Sequence, residues 1–162
     1  MRRTDREVTD DATKRQIIEA GKVINLALHD FPAPYVVPTN YGYEFVGNQL
    51  HIYLHGAPKG HKRVLIVADP NVSFSIIAND SLYTPEPGSK PSAYSYFYQS
   101  ILGSGKAVLV DDLAEKEHAL RLILKHQTGH EIADEISQHD LAYVGVIRID
   151  VDRYNGKQHL AD

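Results

Sequence analysis

The chain has 162 residues, 43% of them apolar and 23% charged, with a formal net charge of −4 when histidine is neutral. Those values fit one globular domain, exclude disordered and collagen-like classes, and offer no global attraction for nucleic acid or an anionic membrane, so any anion site must be local. The sequence contains no cysteine, which excludes disulfides, thiolate zinc ligands and thiol nucleophiles together.

The start, MRRTDREVTDD, turns from basic to acidic at once and lacks the apolar run of a secretory signal. No later stretch has the length and apolarity of a membrane span, so a cytoplasmic protein is expected. Thr9 or Asp10 caps a predicted helix running to about Leu28, with Ile17, Ala20, Ile24 and Leu28 on one face and Gly21 as a place of close approach. Pro32-Ala33-Pro34 ends helical structure.

From Tyr35 to Phe45 the residues are aromatic and β-branched, which suits a strand. Pro38 implies an edge, a bulge, or a ligand replacing part of the ladder. Gly47-Asn48 is a two-residue hairpin turn, and Gln49 to Leu54 is the return strand. The return strand runs into HGAPKGHK, from His55 to Lys62, where two glycines free the backbone and two lysines and two histidines can face an anion. This reads as a phosphate cradle, although Gly, Pro and Lys also populate ordinary solvated turns.

Arg63 to Ala68 is apolar enough that periodicity leaves a buried strand and a buried helical turn both open. Asp69-Pro70-Asn71 is a stop, and Val72 to Ala78 alternates as a strand. Asn79 to Pro91, rich in proline, reads as a surface excursion and a candidate lid. Tyr94 to Asp112 reads as a long strand bent at Gly103-Ser104-Gly105. The G-S-G-K there is not a nucleotide loop, since Ser100 stands where that motif needs glycine and Ala107 follows Lys106. Leu113 to Gln127 is an amphipathic helix ended by Gly129. A short helical stretch is expected from Glu131 to Gln138, a closing strand from Tyr143 to Val151, and a polar tail turning at Asn155-Gly156.

His126 and His130 would share a helical face, but Thr128-Gly129 intervenes and no carboxylate helper stands nearby in the pattern, so no metal is expected and the histidines are read mostly as surface residues. His55 and His61 differ because both lie in the cradle. Each could bond a phosphate, orient a substrate or pass a proton, or simply bond its own turn. No Ser, His and Asp arrangement emerges, so the electron chemistry would belong to a cofactor and position and polarity to the protein.

The blocks MRRTDREVTD, PYVVPTNYGY, HIYLHGAPKGHK, YQSILGSGKAVLVDDLAEKEHAL and RIDVDRYNGK, in this order, resemble the 5-nitroimidazole-resistance (Nim-type) family of pyridoxamine-phosphate-oxidase-like flavin-binding proteins. The resemblance implies a mainly β chain with flanking helices, a Greek-key FMN-binding split β-barrel, and a homodimer holding FMN between its subunits. It favours a short helix over Arg63 to Ala68, with Gly60, His61 and Lys62 at its start, and a first helix across one end of the barrel. It implies Val37, Pro38, Thr39 and Asn40 as ring neighbours, Lys62 with Ser100 at the phosphate or ribityl chain, and Tyr53, Leu54, Gly60 and His61 completing the cofactor set. His55 matches the family's H-G-A histidine near the flavin face, where substrate would sit. His61 stands where the family more often has arginine, and Thr39 and Tyr41 replace the more usual Leu and Phe. The activity implied is two-electron reduction of nitro-aromatic compounds of the 5-nitroimidazole type. Two rival readings are a pyridoxamine-phosphate-like oxidase, for which the chain lacks a second arginine-rich phosphate site, and a flavin- or haem-binding module without turnover.

Overall fold

The computed structural model of the protein describes residues 3–160. The opening of the MRRTDREVTD block and the very end of the tail lie outside the described residues. The strands are β1 (Glu7–Val8), β2 (Val23–Leu28), β3 (Tyr35–Asn40), β4 (Gly42–Val46), β5 (Gln49–Gly56), β6 (Asn71–Tyr83), β7 (Ser95–Val110) and β8 (Gly145–His159). The helices are α1 (Asp11–Ala20), α2 (His61–Ala68), α3 (Leu113–Thr128) and α4 (Gln138–Tyr143).

Asp10 caps α1, its carboxylate accepting the Thr13 N–H at 2.7 Å. The helix stops at Gly21 rather than running to Leu28, and β2 replaces its predicted second half. Ile24 and Leu28 are four residues apart and satisfy a strand's alternation as well as a helix's turn. Gly21 decides the outcome, because a Cβ there would lie 2.3 Å from Ile76 Cγ2, so the chain crosses the sheet at close approach and continues extended.

The sheet order is β3-β2-β6-β7-β8-β5-β4, every neighbouring pair antiparallel, with β1 added beside β8. The jumps from β2 to β6 and from β5 to β8 give Greek-key connectivity. β3 lies beside β5 but shares no ladder with it, which is the split in the barrel. The predicted single run from Tyr35 to Phe45 is therefore two strands serving opposite ends of the sheet. The break is at Tyr41, whose fully buried hydroxyl donates to the Ile18 and Gly21 carbonyls.

Alternate residues fill the barrel: Ile24, Leu26, Leu28, Leu50, Ile52, Leu54, Ile76, Ile101 and Ile149, joined by Ile17 and Ile18 of α1 and Ile66 of α2. Helix α3 packs outside, on β4 and β5, its Ala119 and Ile123 joining Tyr53, Val110 and Val146 in a second cluster. Gly42 permits this contact, since a Cβ would lie 2.4 Å from the Ile123 backbone nitrogen. Gly129, at φ 82°, ends α3 as expected, and Asp112 caps its start, its carboxylate accepting the Glu115 N–H at 2.8 Å.

Three predicted boundaries shift. The excursion expected at Asn79 is strand as far as Tyr83, carried through a bulge where Asn79 takes φ 51°. Of the helical stretch expected over 131–138, residues 131–137 are open chain, and α4 starts at Gln138 behind a Ser137–Asp140 capping box. The polar tail is strand to His159, because β7 and β1 supply its ladder from far away in sequence. The bend of β7 falls where expected, at a register shift between Ser104 and Gly105.

The other face of this sheet carries three register rows: Val36, Ala27, Ser73, Ser104 and Arg153; Pro38, Asn25, Ser75, Leu102 and Asn155; and Ile77, Ser100 and Lys157. Val36, Ile77 and Leu102 on it are more than half exposed. Open grooves of about 450 and 320 Å³ run along it past Ser73, Ser104 and Arg153.

Candidate functional site

Three segments meet at the split. β3 is laddered only to β2, which answers the Pro38 question: it sits on an edge strand. β5 loses its β4 partner after Tyr53, so residues 54–56 are laddered only to β8. Between these free edges starts α2. Gly60, at φ 149°, offers no side-chain cap, and its carbonyl takes the Arg63 and Val64 N–H groups. The His61 and Lys62 N–H groups belong to the first turn, which has no intrahelical acceptors, and the helix dipole adds positive potential there.

Lys62 is half-buried, and its Nζ lies 3.9 Å from where a Cβ on Gly56 would stand. Among the described residues no carboxylate pairs with it. Burial, and then the neighbouring Arg63 charge, holds its pKa below the ordinary lysine value. A desolvated cation at a helix N-terminus without a counter-ion is an unfavourable arrangement that an anion would relieve.

His55 leaves β5 on the α3 side, with Tyr53, and is half-buried. Its Nδ1 is buried and has no hydrogen-bond partner among the described residues. Burial first and the Lys62 charge second lower its pKa, so the imidazole is neutral at pH 7. It borders a cavity of about 300 Å³ walled by the α3 residues Leu120, Ile123 and Leu124 and by Ile132 and Ile136 of the following linker. Sequence reading missed this wall. The available signal was two isoleucines in the otherwise polar HEIADEISQHD, a pattern too short to have a period.

The remaining candidates divide. His61 is exposed, with Nε2 2.7 Å from Asp30 Oδ2 and its ring edge-on to Tyr35 at 5.2 Å, so it is already engaged by protein. That hydrogen bond, with the Phe31 N–H, lowers the Asp30 pKa. Pro38 and Asn40 face outward on β3, while Val37 and Thr39 alternate inward against Leu26 and Ile24, leaving their backbone as the accessible part. Tyr53 and Leu54 are buried, the Tyr53 hydroxyl donating to Glu44 Oε1 at 3.0 Å. Ser100 is buried on the outer face, its hydroxyl donating to the Lys157 carbonyl at 3.3 Å. From Ser100 to Val110, whose β8 partner Val146 accepts from Arg63, is roughly 30 Å of strand at about 3.3 Å per residue. One chain therefore does not bring Ser100 to Lys62.

His126 departs from the expected surface histidines. It is buried, its Nε2–H donating to the Gly21 carbonyl at 2.8 Å, with the Tyr41 ring tilted against it at 4.6 Å and the Tyr43 ring edge-on at 5.2 Å.

The pyridoxamine 5′-phosphate oxidase family model matches residues 10–158. None of the curated proteins matches the chain in sequence. Among solved structures, a candidate 5-nitroimidazole antibiotic resistance protein from Bacteroides thetaiotaomicron superposes with a TM-score of 0.78 at 28% identity, over 94% of this chain and 86% of that one. The flavocytochrome Anf3 from Azotobacter vinelandii gives 0.78 at 16% identity, over 99% of this chain and 72% of that one. A NimC/NimA family protein from Clostridium acetobutylicum gives 0.56 at 16% identity, over 93% and 86%. The last two likenesses speak for the fold alone.

Proposed function

The chain belongs to the pyridoxamine 5′-phosphate oxidase family, and from that premise we propose that it is an FMN-dependent reductase of nitro-aromatic compounds, working as a homodimer. The observation that carries the reading is Lys62, a half-buried cation that pairs with no carboxylate among the described residues, at the uncapped start of α2. It fits a phosphate monoester, which accepts from the free N–H groups while neutralising the ammonium. The free edge of β3 from Val37 to Asn40 offers backbone groups to a flat ring in the split. Bound flavin supplies the electron pair.

The protein's part is to hold and to protonate. Reduction of R–NO₂ to R–NO takes two electrons and two protons and releases water. His55, neutral and with a free buried nitrogen at the wall of a mainly apolar cavity, steers one of those protons. The uncovered sheet face supports the dimer. It bears exposed Val36, Ile77 and Leu102 and also Pro38 and Ser100, so a second copy laid on it would bring its own Ser100 to the flavin that Lys62 holds. The likeness to the Bacteroides resistance protein supports the nitroimidazole substrate.

Chemically reduced, FMN-loaded protein mixed anaerobically with a 5-nitroimidazole tests the reading. Flavin reoxidation matched by loss of the nitro chromophore is expected, and flavin that stays reduced while drug is unchanged overturns it.

A further inference from the structure

The cavity beside His55 has a charge pattern that the flavin reading does not use. Its walls are Leu120, Ile123, Ile132 and Ile136, and its volume of about 300 Å³ lies at the lower end of the roughly 300–1,000 Å³ range of small-molecule pockets. That admits a one-ring compound and is too small for a flavin nucleotide. The linker forming one wall is fixed in place, because Arg121 donates to the Ile132 and Asp134 carbonyls at 3.0 and 3.5 Å. The same Arg121 is paired with Glu117 at 2.8 Å.

Every charged side chain lining the cavity is a carboxylate, Asp134, Glu135 and Asp140; Lys62, whose charge reaches His55, is not among the lining residues. Asp140 is kept ionised by the Ser137 hydroxyl at 2.7 Å and the Ser137 N–H at 3.2 Å. Among the described residues Asp134 and Glu135 have no cationic partner. His55 Nδ1, on the cavity wall, is buried and has no hydrogen-bond partner among the described residues, and such a group favours a ligand that brings it one.

We propose that this cavity is the substrate subsite, and that it takes uncharged or cationic single-ring aromatic compounds while rejecting anionic ones, phosphorylated and carboxylated rings among them. The word substrate rests on the flavin reading; the charge selection rests on the cavity alone. Two carboxylates at a solvent-screened mouth discriminate against a ligand anion by about tenfold in affinity.

The probes are 4-nitrobenzyl alcohol, 4-nitrobenzylamine and 4-nitrobenzoate, matched in ring and nitro group and differing in charge. Their binding to the full chain is followed by the ring ¹⁵N resonances of His55, without FMN and again with it. The alcohol and the amine should shift the His55 signals, and the benzoate should bind about tenfold more weakly. In the Asp134→Asn/Glu135→Gln double variant that difference should shrink to about twofold, and Leu124→Trp, which fills the cavity, should abolish all three responses. Equal binding of all three probes, discrimination that survives the double variant, or His55 signals that no probe moves would overturn the proposal. The flavin-free arm separates the two readings: FMN titrated into the same samples can fail while cavity binding holds, and the reverse.

Discussion

Replacing Lys62 by alanine separates phosphate recognition from everything else in the site. In the flavin-free protein Lys62 makes no ion pair among the described residues and burial disfavours its charge, so Lys62→Ala should leave thermal stability unchanged or raise it slightly. With ligand the sign reverses. A charge-assisted contact to phosphate contributes roughly 1.5–3 kcal/mol, so FMN affinity should fall by about 10- to 150-fold at about 1.4 kcal/mol per decade. Riboflavin presents the same ring without the phosphate and should lose less than about threefold, a difference within the few tenths of a kcal/mol expected away from the contact. Quenching of flavin fluorescence gives both constants from one protein sample. Equal losses for FMN and riboflavin would show that Lys62 does not read the phosphate, and a strongly destabilised flavin-free variant would show that the residue has a structural partner instead.

Three further outcomes follow from the same geometry. His55→Ala should keep its FMN and reoxidise about 10²-fold more slowly with a 5-nitroimidazole in single turnover, as loss of proton assistance requires; wild-type speed with full flavin would demote His55 to a turn residue. Leu102→Asp on the uncovered sheet face should give a monomer by analytical ultracentrifugation with weakened FMN binding, and a monomer of undiminished affinity would remove the dimer from the site. The third concerns His126, whose folded pKa is depressed by burial and by the Lys22 charge, against the opposing pull of the Gly21 carbonyl and of Glu19 at 3.9 Å from Nδ1. The unfolded chain then binds more protons, so this stability is whole above about pH 6.5, the ordinary histidine value, and is lost as pH falls below it. His55 acts in the same direction. His126→Gln, whose amide can still donate to Gly21, should therefore flatten but not abolish the fall of Tm between pH 6.5 and 5; an unchanged slope refutes the assignment.

What could be read without the structure was what local chemistry decides. Gly47, at φ 62°, makes the turn between β4 and β5, and Gly129 ends α3. β2 was hidden because Ile24 and Leu28 suit both a helix and a strand. The end of β8 was hidden because polar residues such as Lys157 and Gln158 become strand only when β7 reaches them from far away. The same division holds for the site. His55, Gly60 and Lys62 are close in sequence and meet at the split, whereas the walls of the His55 cavity come from α3 and its linker, and Ser100 lies far along β7 from the end of the sheet that Lys62 serves. His61 shows the limit of residue type: its imidazole suits a phosphate, but Asp30 and Tyr35 already hold it.

Titration of the purified 162-residue chain with FMN, read by flavin absorption and by Tm in the same samples, bears most directly on the central claim. A ligand that binds only the folded state must stabilise it, by about 2.7 kcal/mol at a concentration 100 times its Kd. The expected result is a saturable shift of the flavin spectrum with a rise in Tm that riboflavin reproduces only weakly. A chain whose Tm and flavin spectrum are both unmoved by FMN would contradict the reading of Lys62 and α2 as a phosphate site.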